Sequence, residues 1–180
     1  RRAGVRPDTL ERLAEADAFA ALGLTRRDAL WSAKALKAPA PLPLFGPDGE
    51  GETEPAVTLP QMTLGQEVIE DYLSLRLSLR AHPMELLRPG LPESLPHDRL
   101  PQARGRVTIT GLVITRQRPG TASGVIFLTL EDETGTANVV IWKKVYEAFR
   151  KAVIAGRLVR VMGRIERDGA VTHLIAERIE

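Results

Sequence analysis

The residues of this 180-residue chain best suited to chemistry are arginines spaced along β-patterned runs, with one aromatic among them. Arg116 and Arg118 close one such run, and Arg160 and Arg164 share a side of another. On a strand, residues two or four apart face the same way. Guanidinium groups so placed meet successive phosphates of a polyanion. Between the two runs, Ile126, Leu128 and Leu130 alternate with Val125, Phe127 and Thr129. The first set should fill a core, which leaves Phe127 as a lone ring among small residues on the other side. A base stacked on such a ring gains about 1–3 kcal/mol. Together these features describe a single-strand groove with one aromatic platform and several phosphate contacts. A plainer reading stays open, in which Phe127 packs beneath a loop and the arginines form a solvated face. Trp142 ends a strand just before a helix and is expected to be structural.

Other chemistries find no support in the residues. Cysteine is absent, which removes disulfides, thiolate metal sites and thiol nucleophiles. His82, His97 and His173 share no ligand spacing. Asp132-Glu133 belong to a turn, and Glu70-Asp71 belong to a helix surface. No glycine-rich phosphate loop stands between a strand and a helix. The expectation is a piece without catalytic residues, metal or cofactor. Net charge is only +2, with mildly basic ends and an acidic middle. That suits polyanion contact without deciding it. No apolar run is long enough to span a membrane, so a cytoplasmic protein with no membrane partner is expected. The chain starts Arg1-Arg2 and is expected to be a piece of a longer protein.

Five stretches must position these residues. Residues 1–38 are helical, with Leu10, Leu13, Ala14 and Ala18 at helical spacing over Thr9–Ala21. Asp8 with Glu11 and Thr25 with Asp28 both carry capping-box spacing. Residues 39–61 have linker composition, rich in proline and acidic residues. Residues 62–88 return to helix and stop at His82-Pro83, and 89–105 is a second connector.

From 106 to 180 the period is that of strands. Arg106–Arg118, Val125–Glu131 and Ala137–Trp142 precede a helix over Lys143–Ala155, with Gly156 as its stop. Leu158–Ile165 and Ala170–Ile179 follow, joined through the tight turn Asp168-Gly169. Three strands, a helix and a hairpin is the order of the five-stranded OB-fold barrel. The first strand of such a barrel must bend, and Gly111 stands where a bulge would allow it. The fold class is therefore α+β, a helical segment followed by an OB barrel.

The run VTITGLVITRQRPGTASGVIFLTLEDETGTANVVIWKKVYEAF, Val107 to Phe149, resembles the OB domain of bacterial C-family DNA polymerases. LERLAEADAFAALGLTRRDALW (Leu10–Trp31) is similar to the end of that family's helix-hairpin-helix region. EDYLSLRLSLRAHPM (Glu70–Met84) is similar to the helix and His-Pro element before its barrel. The double arginine and the SLRAHP wording lie nearest the error-prone, damage-inducible branch that serves translesion synthesis. Lys143 departs from the family, which has proline at the start of the barrel helix.

The resemblance implies a C-terminal, non-catalytic segment whose parent is a nucleotidyltransferase using Mg, with the catalytic carboxylates upstream. It implies duplex contact at glycine turns that point backbone N–H groups at phosphates, around Gly4 and around Gly23 with Arg26 and Arg27. It also places Leu44-Phe45 where the family's short sliding-clamp peptide lies, although Pro41 replaces the glutamine that opens that peptide. Docking of partner proteins of a mutagenic complex is implied as well. Two rivals remain at this point. One is an RNA-binding OB module similar to the anticodon-binding domains of class II tRNA synthetases, and the other is a barrel that only docks protein.

Overall fold

The computed structural model describes residues 4–36, 57–120, 124–169 and 171–180. They form two compact units, Arg1–Ala81 and His82–Glu180.

The first unit is built on helices α1 (Pro7–Glu15), α2 (Arg26–Ala35) and α3 (Leu64–Ser74). Helix α1 differs from its expected span at both ends. Pro7 opens it, because its fixed φ suits a first turn and its missing N–H needs no partner. Arg6 is then the N-cap, without a side-chain cap bond, and Asp8, expected as the cap, lies inside the first turn. The chain leaves the helix through Asp17 (φ 57), so the apolar spacing up to Ala21 resumes only as a short 3-10 turn, Ala20–Leu22. Helix α2 starts as expected, with Thr25 Oγ1 accepting from the Asp28 N–H at 3.2 Å. Helix α3 carries the full capping box, Thr63 with Gln66.

Ala14, Ala29, Ala33 and Val68 are the apolar residues buried here. Such small side chains let helices approach closely but bury little area. An ion-pair network supplies the rest. Arg26, 3% exposed, bonds Asp71, lies 3.1 Å from Glu67 Oε2 and donates to the Glu15 carbonyl. Ser78 Oγ donates to the second Asp71 oxygen at 2.7 Å, and Arg80 bridges to Asp17. Burial alone would raise the Asp71 carboxyl's pKa. The bonds from Arg26 and Ser78 outweigh it and hold the carboxyl below its ordinary range.

The second unit is a closed barrel in the order β1-β2-β3-β5-β4, which is the expected OB topology. Its strands are β1 (Arg106–Gln117), β2 (Ile126–Asp132), β3 (Gly135–Ile141), β4 (Leu158–Asp168) and β5 (Val171–Ile179). Only the β3–β5 pairing is parallel. Ile109, Leu128, Leu130, Ile141, Val161 and Leu174 fill the interior, as alternation requires.

Three local features differ from expectation. The bulge in β1 lies between Val113 and Thr115, not at Gly111. Gly111 serves a close approach instead. A β-carbon there would stand 2.7 Å from His97 Cε1 and 2.9 Å from the Glu131 carbonyl oxygen. The barrel helix is broken at Phe149 (φ -118, ψ 29) into α5 (Lys143–Ala148) and α6 (Arg150–Ala155). Gly156 ends it at φ -62, outside the left-handed region. Glycine is needed there because a β-carbon would meet Ala152 O and Val159 Cγ1, each at 2.5 Å.

The segment before the barrel belongs to this unit. His82 Nδ1 accepts from the Met84 N–H at the start of α4 (Pro83–Leu87), and Met84 is fully buried. Leu95 N–H donates to the Thr108 carbonyl at 2.7 Å, covering the stretch of β1 that β2 does not reach.

Candidate nucleic-acid interface

The bulge in β1 decides where its arginines point. One extra residue reverses the side that every later residue faces. Thr115 and Gln117 therefore lie opposite Thr129 and Phe127, while Arg116 lies opposite the core residue Leu128. Sequence spacing put Arg116 and Arg118 beside Phe127. In the structure Arg116 reaches across the barrel end instead, its Nε donating to Val153 O at 2.8 Å and its Nη2 to Gly156 O. It closes the carbonyl end of α6, where a cation is favoured, and is committed to the fold.

The outer face of β1, β2 and β3 thereby loses its expected arginines beside Phe127, and the charge it keeps on β2 is the partly exposed carboxylate of Glu131, opposite Leu112 and Thr136. Phe127 is 36% exposed, flanked by Gln117 on β1 and Val140 on β3. Thr129 stands between Thr115, whose hydroxyl donates to its own at 3.0 Å, and the exposed Asn138. Val125, expected on this face, is buried. Trp142, expected to be structural, is 55% exposed.

The other candidate cations divide into committed and free. Arg160 pairs with Glu180 Oε1 at 2.9 Å. Arg164 is exposed opposite Arg106 and makes no ion pair among the described residues. Arg118 lies over the Tyr146 ring, 5.5 Å from its centre. In the helical unit Arg26 is consumed by the buried network, which overturns its assignment to phosphate contact. Arg27 donates to Pro60 O and to Gln66. Gly4 (φ 63) and Gly23 (φ 75) are both left-handed, each two residues ahead of a helix N-cap. Leu44 and Phe45 lie outside the described residues.

Sequence reasoning missed one buried polar cluster. Asp132 Oδ1 accepts from Thr134 N, Thr134 Oγ1 and Gly135 N, at 2.8, 2.6 and 3.1 Å. Its Oδ2 accepts from His97 N at 3.0 Å and Arg88 Nη2 at 2.9 Å. Arg88 also grips Glu133. Burial works to raise the Asp132 pKa, but the Thr134 bonds and His97 outweigh it and hold the carboxyl low. Burial pushes the His97 imidazole down, against the pull of Asp132. Its Nδ1 lies 3.2 Å from the Gly135 carbonyl, which assigns the proton of the neutral ring to that nitrogen. The cluster pins the 88–97 connector to the β2–β3 turn. With both carboxylates held by Arg88, these residues do not fit a Mg site, and among the described residues no group of three or more acidic, histidine or cysteine side chains could hold a metal ion. No helix among them is long and apolar enough to cross a membrane.

Residues 107–180 match the family described as an OB-fold nucleic acid binding domain. The error-prone DNA polymerase of Ruegeria pomeroyi is 66% identical over 99% of this chain, which corresponds to 16% of that protein. Error-prone DNA polymerase 1 of Rhizobium meliloti is 47% identical over 99% of this chain and 17% of its own length. Among solved structures, asparaginyl-tRNA synthetase from Pyrococcus horikoshii aligns over 50% of this chain and 23% of its own, at 30% identity and a TM-score of 0.43. Over nearly its whole length the chain is highly similar to one segment of bacterial error-prone DNA polymerases. The resemblance expected from its motifs is borne out.

Proposed function

We propose that this chain is the non-catalytic DNA-holding segment of an error-prone polymerase, with single-stranded DNA lying across the outer face of β1, β2 and β3. The observation that carries this reading is the exposed Phe127 on a sheet face whose nearest neighbours, Gln117, Thr129 and Val140, are uncharged. A flat ring flanked by Gln117, Thr129 and Asn138 offers stacking to any base and hydrogen bonds to base edges. Charge stays at the margins: Arg164 makes no ion pair among the described residues, and Arg118, past the end of β1 and on Arg116's side of it, is available to phosphates at the barrel end. Thr129 belongs to the face itself, while Arg116 and Arg160 are held by the barrel, at the α6 carbonyls and by Glu180. Nucleotidyl transfer belongs to the parent polymerase, in parts of the protein that this segment does not include.

Titration with a short oligothymidylate and an oligouridylate of equal length, at two salt concentrations, tests the reading. Tighter binding of the DNA strand, weakened about tenfold by Phe127→Ala, is the expected result. Equal loss of both strands with no effect of Phe127→Ala would remove the face as a binding surface. Preference for the RNA strand would favour the anticodon-type module.

Two further contacts belong to the same proposal. The glycine turns at Gly4 and Gly23, with Arg27 beside the second, are suited to a duplex backbone because each precedes a helix start. Leu44-Phe45 supplies the aliphatic-aromatic pair that a clamp pocket takes. A peptide of residues 39–48 should bind the sliding clamp at high micromolar concentration, and a flat titration would leave the pair without that role.

A further inference from the structure

The outer face holds one ring in its middle, and a single platform orders only one base. The end of the face carries a second. Ile126 pairs with Ile141, so the next residues outward along the two strands are Val125 and Trp142. Trp142 has extended backbone (φ -72, ψ 153), so the alternation that turns Val140 outward extends to it. It stands two residues from Val140, the direct partner of Phe127, and is therefore the diagonal neighbour of that ring. More than half of its surface is open. An open indole on a sheet margin leaves unburied a side chain that gains much from burial, although Trp31 of the helical unit is equally open.

Cations gather at the same end. A β-carbon at Gly124 would stand 3.8 Å from Lys143 Cδ and 3.9 Å from Arg118 Nη2, so the two side chains flank one point of the loop. Arg118 makes no ion pair among the described residues and is braced by the Tyr146 ring. Lys143 has only a loose exposed contact with Glu147, at 4.0 Å. A braced guanidinium beside an exposed ammonium, next to an open indole, suits a phosphate whose own base lies flat on the ring.

We infer that Trp142 is a second base-stacking platform, and that Arg118 and Lys143 seat the phosphate of the nucleotide it holds. The strand then runs from Phe127 across Val140 to the barrel end. This rests on the reading that the outer face binds a single strand, and it adds the direction of the path and its end.

Trp31→Phe leaves Trp142 as the sole indole, so its emission reports on this site alone. The probes are an oligothymidylate of about eight nucleotides, within the usual span of one OB domain, and an abasic strand of the same length. Quenching by the oligothymidylate but not by the abasic strand is expected. Trp142→Ala should weaken oligothymidylate binding about tenfold at fixed salt, with little change in salt slope. Lys143→Ala should lower the slope of log affinity against log salt by about 0.7, the value of one phosphate contact on a single strand. Binding that persists, is lost in Phe127→Ala, and leaves Trp142 emission unchanged would overturn the inference while keeping the outer-face reading. An unchanged slope in Lys143→Ala would overturn the phosphate seat. If neither strand binds at all, the outer-face reading and this inference fall together.

Discussion

The imidazole of His97 occupies the space that a side chain at Gly111 would need, with its Cε1 2.7 Å from the position of that missing β-carbon. The connector before the barrel thus packs on β1 at the residue next to Leu112, which pairs with both β2 and β4. A glycine chosen for contact, and not for backbone freedom, makes a sharp prediction. Gly111→Ala should cost about 2 kcal/mol of barrel stability, as overpacking of a rigid site does. The Glu131 carbonyl, at 2.9 Å, also blocks the new methyl group. Adding His97→Ala should therefore return only part of the loss, and a double-mutant cycle by urea denaturation would show coupling well above zero.

The same imidazole should make the barrel sensitive to mild acid. Its folded pKa is lowered, so between the unfolded value near 6.5 and the folded one only the unfolded chain takes up the proton. Stability should fall as pH drops from about 6.5. His97→Gln should flatten that part of the profile. Asp132, also lowered, acts further down: its contribution is present above the ordinary carboxylate range and is lost as pH falls through its folded value. A decline below pH 4 that survives His97→Gln would separate the two groups.

In the helical unit, Arg26→Ala should act on folding and not on DNA. It leaves the buried Asp71 carboxylate with only Ser78 and the more distant Arg80, and removes the anchor of a network that includes Glu67 and the Glu15 carbonyl. Breaking a buried pair from one side costs about 3–5 kcal/mol, enough to lose most of the helical circular-dichroism signal of such a small unit. Arg27→Ala should leave that signal intact and reduce the salt dependence of duplex binding.

Arg116→Ala tests the reversal of β1. The residue donates to carbonyls at the end of α6, so its loss should cost about 1 kcal/mol in stability and leave the salt slope of single-strand binding unchanged. Arg118→Ala should do the opposite. Equal effects of the two on the salt slope would mean that both face the ligand.

Much of the fold was legible because it depends on local rules. Strand alternation in Ile126, Leu128 and Leu130, the Asp168-Gly169 turn and the proline-rich connectors mark out the barrel without knowledge of any contact. The motifs from Leu10 to Phe149 marked the polymerase segment, because long stretches of wording carry more information than any single residue. The site was less legible. Phe127 was placed on its face correctly, since it lies within a regular strand.

Arg116 was not, because a bulge two residues upstream, at Ile114, reverses the strand, and a bulge depends on how two strands meet. Arg26 could not be told from Arg27 by sequence, because burial is settled by Asp71, 45 residues away. The same holds for Gly111 and His97. Residue types and periods thus determined which strands and helices this chain makes and which family it resembles. Only tertiary packing decided which charges remain free to meet a ligand, because a guanidinium is spent or available according to which carboxylates and carbonyls the folded chain brings to it.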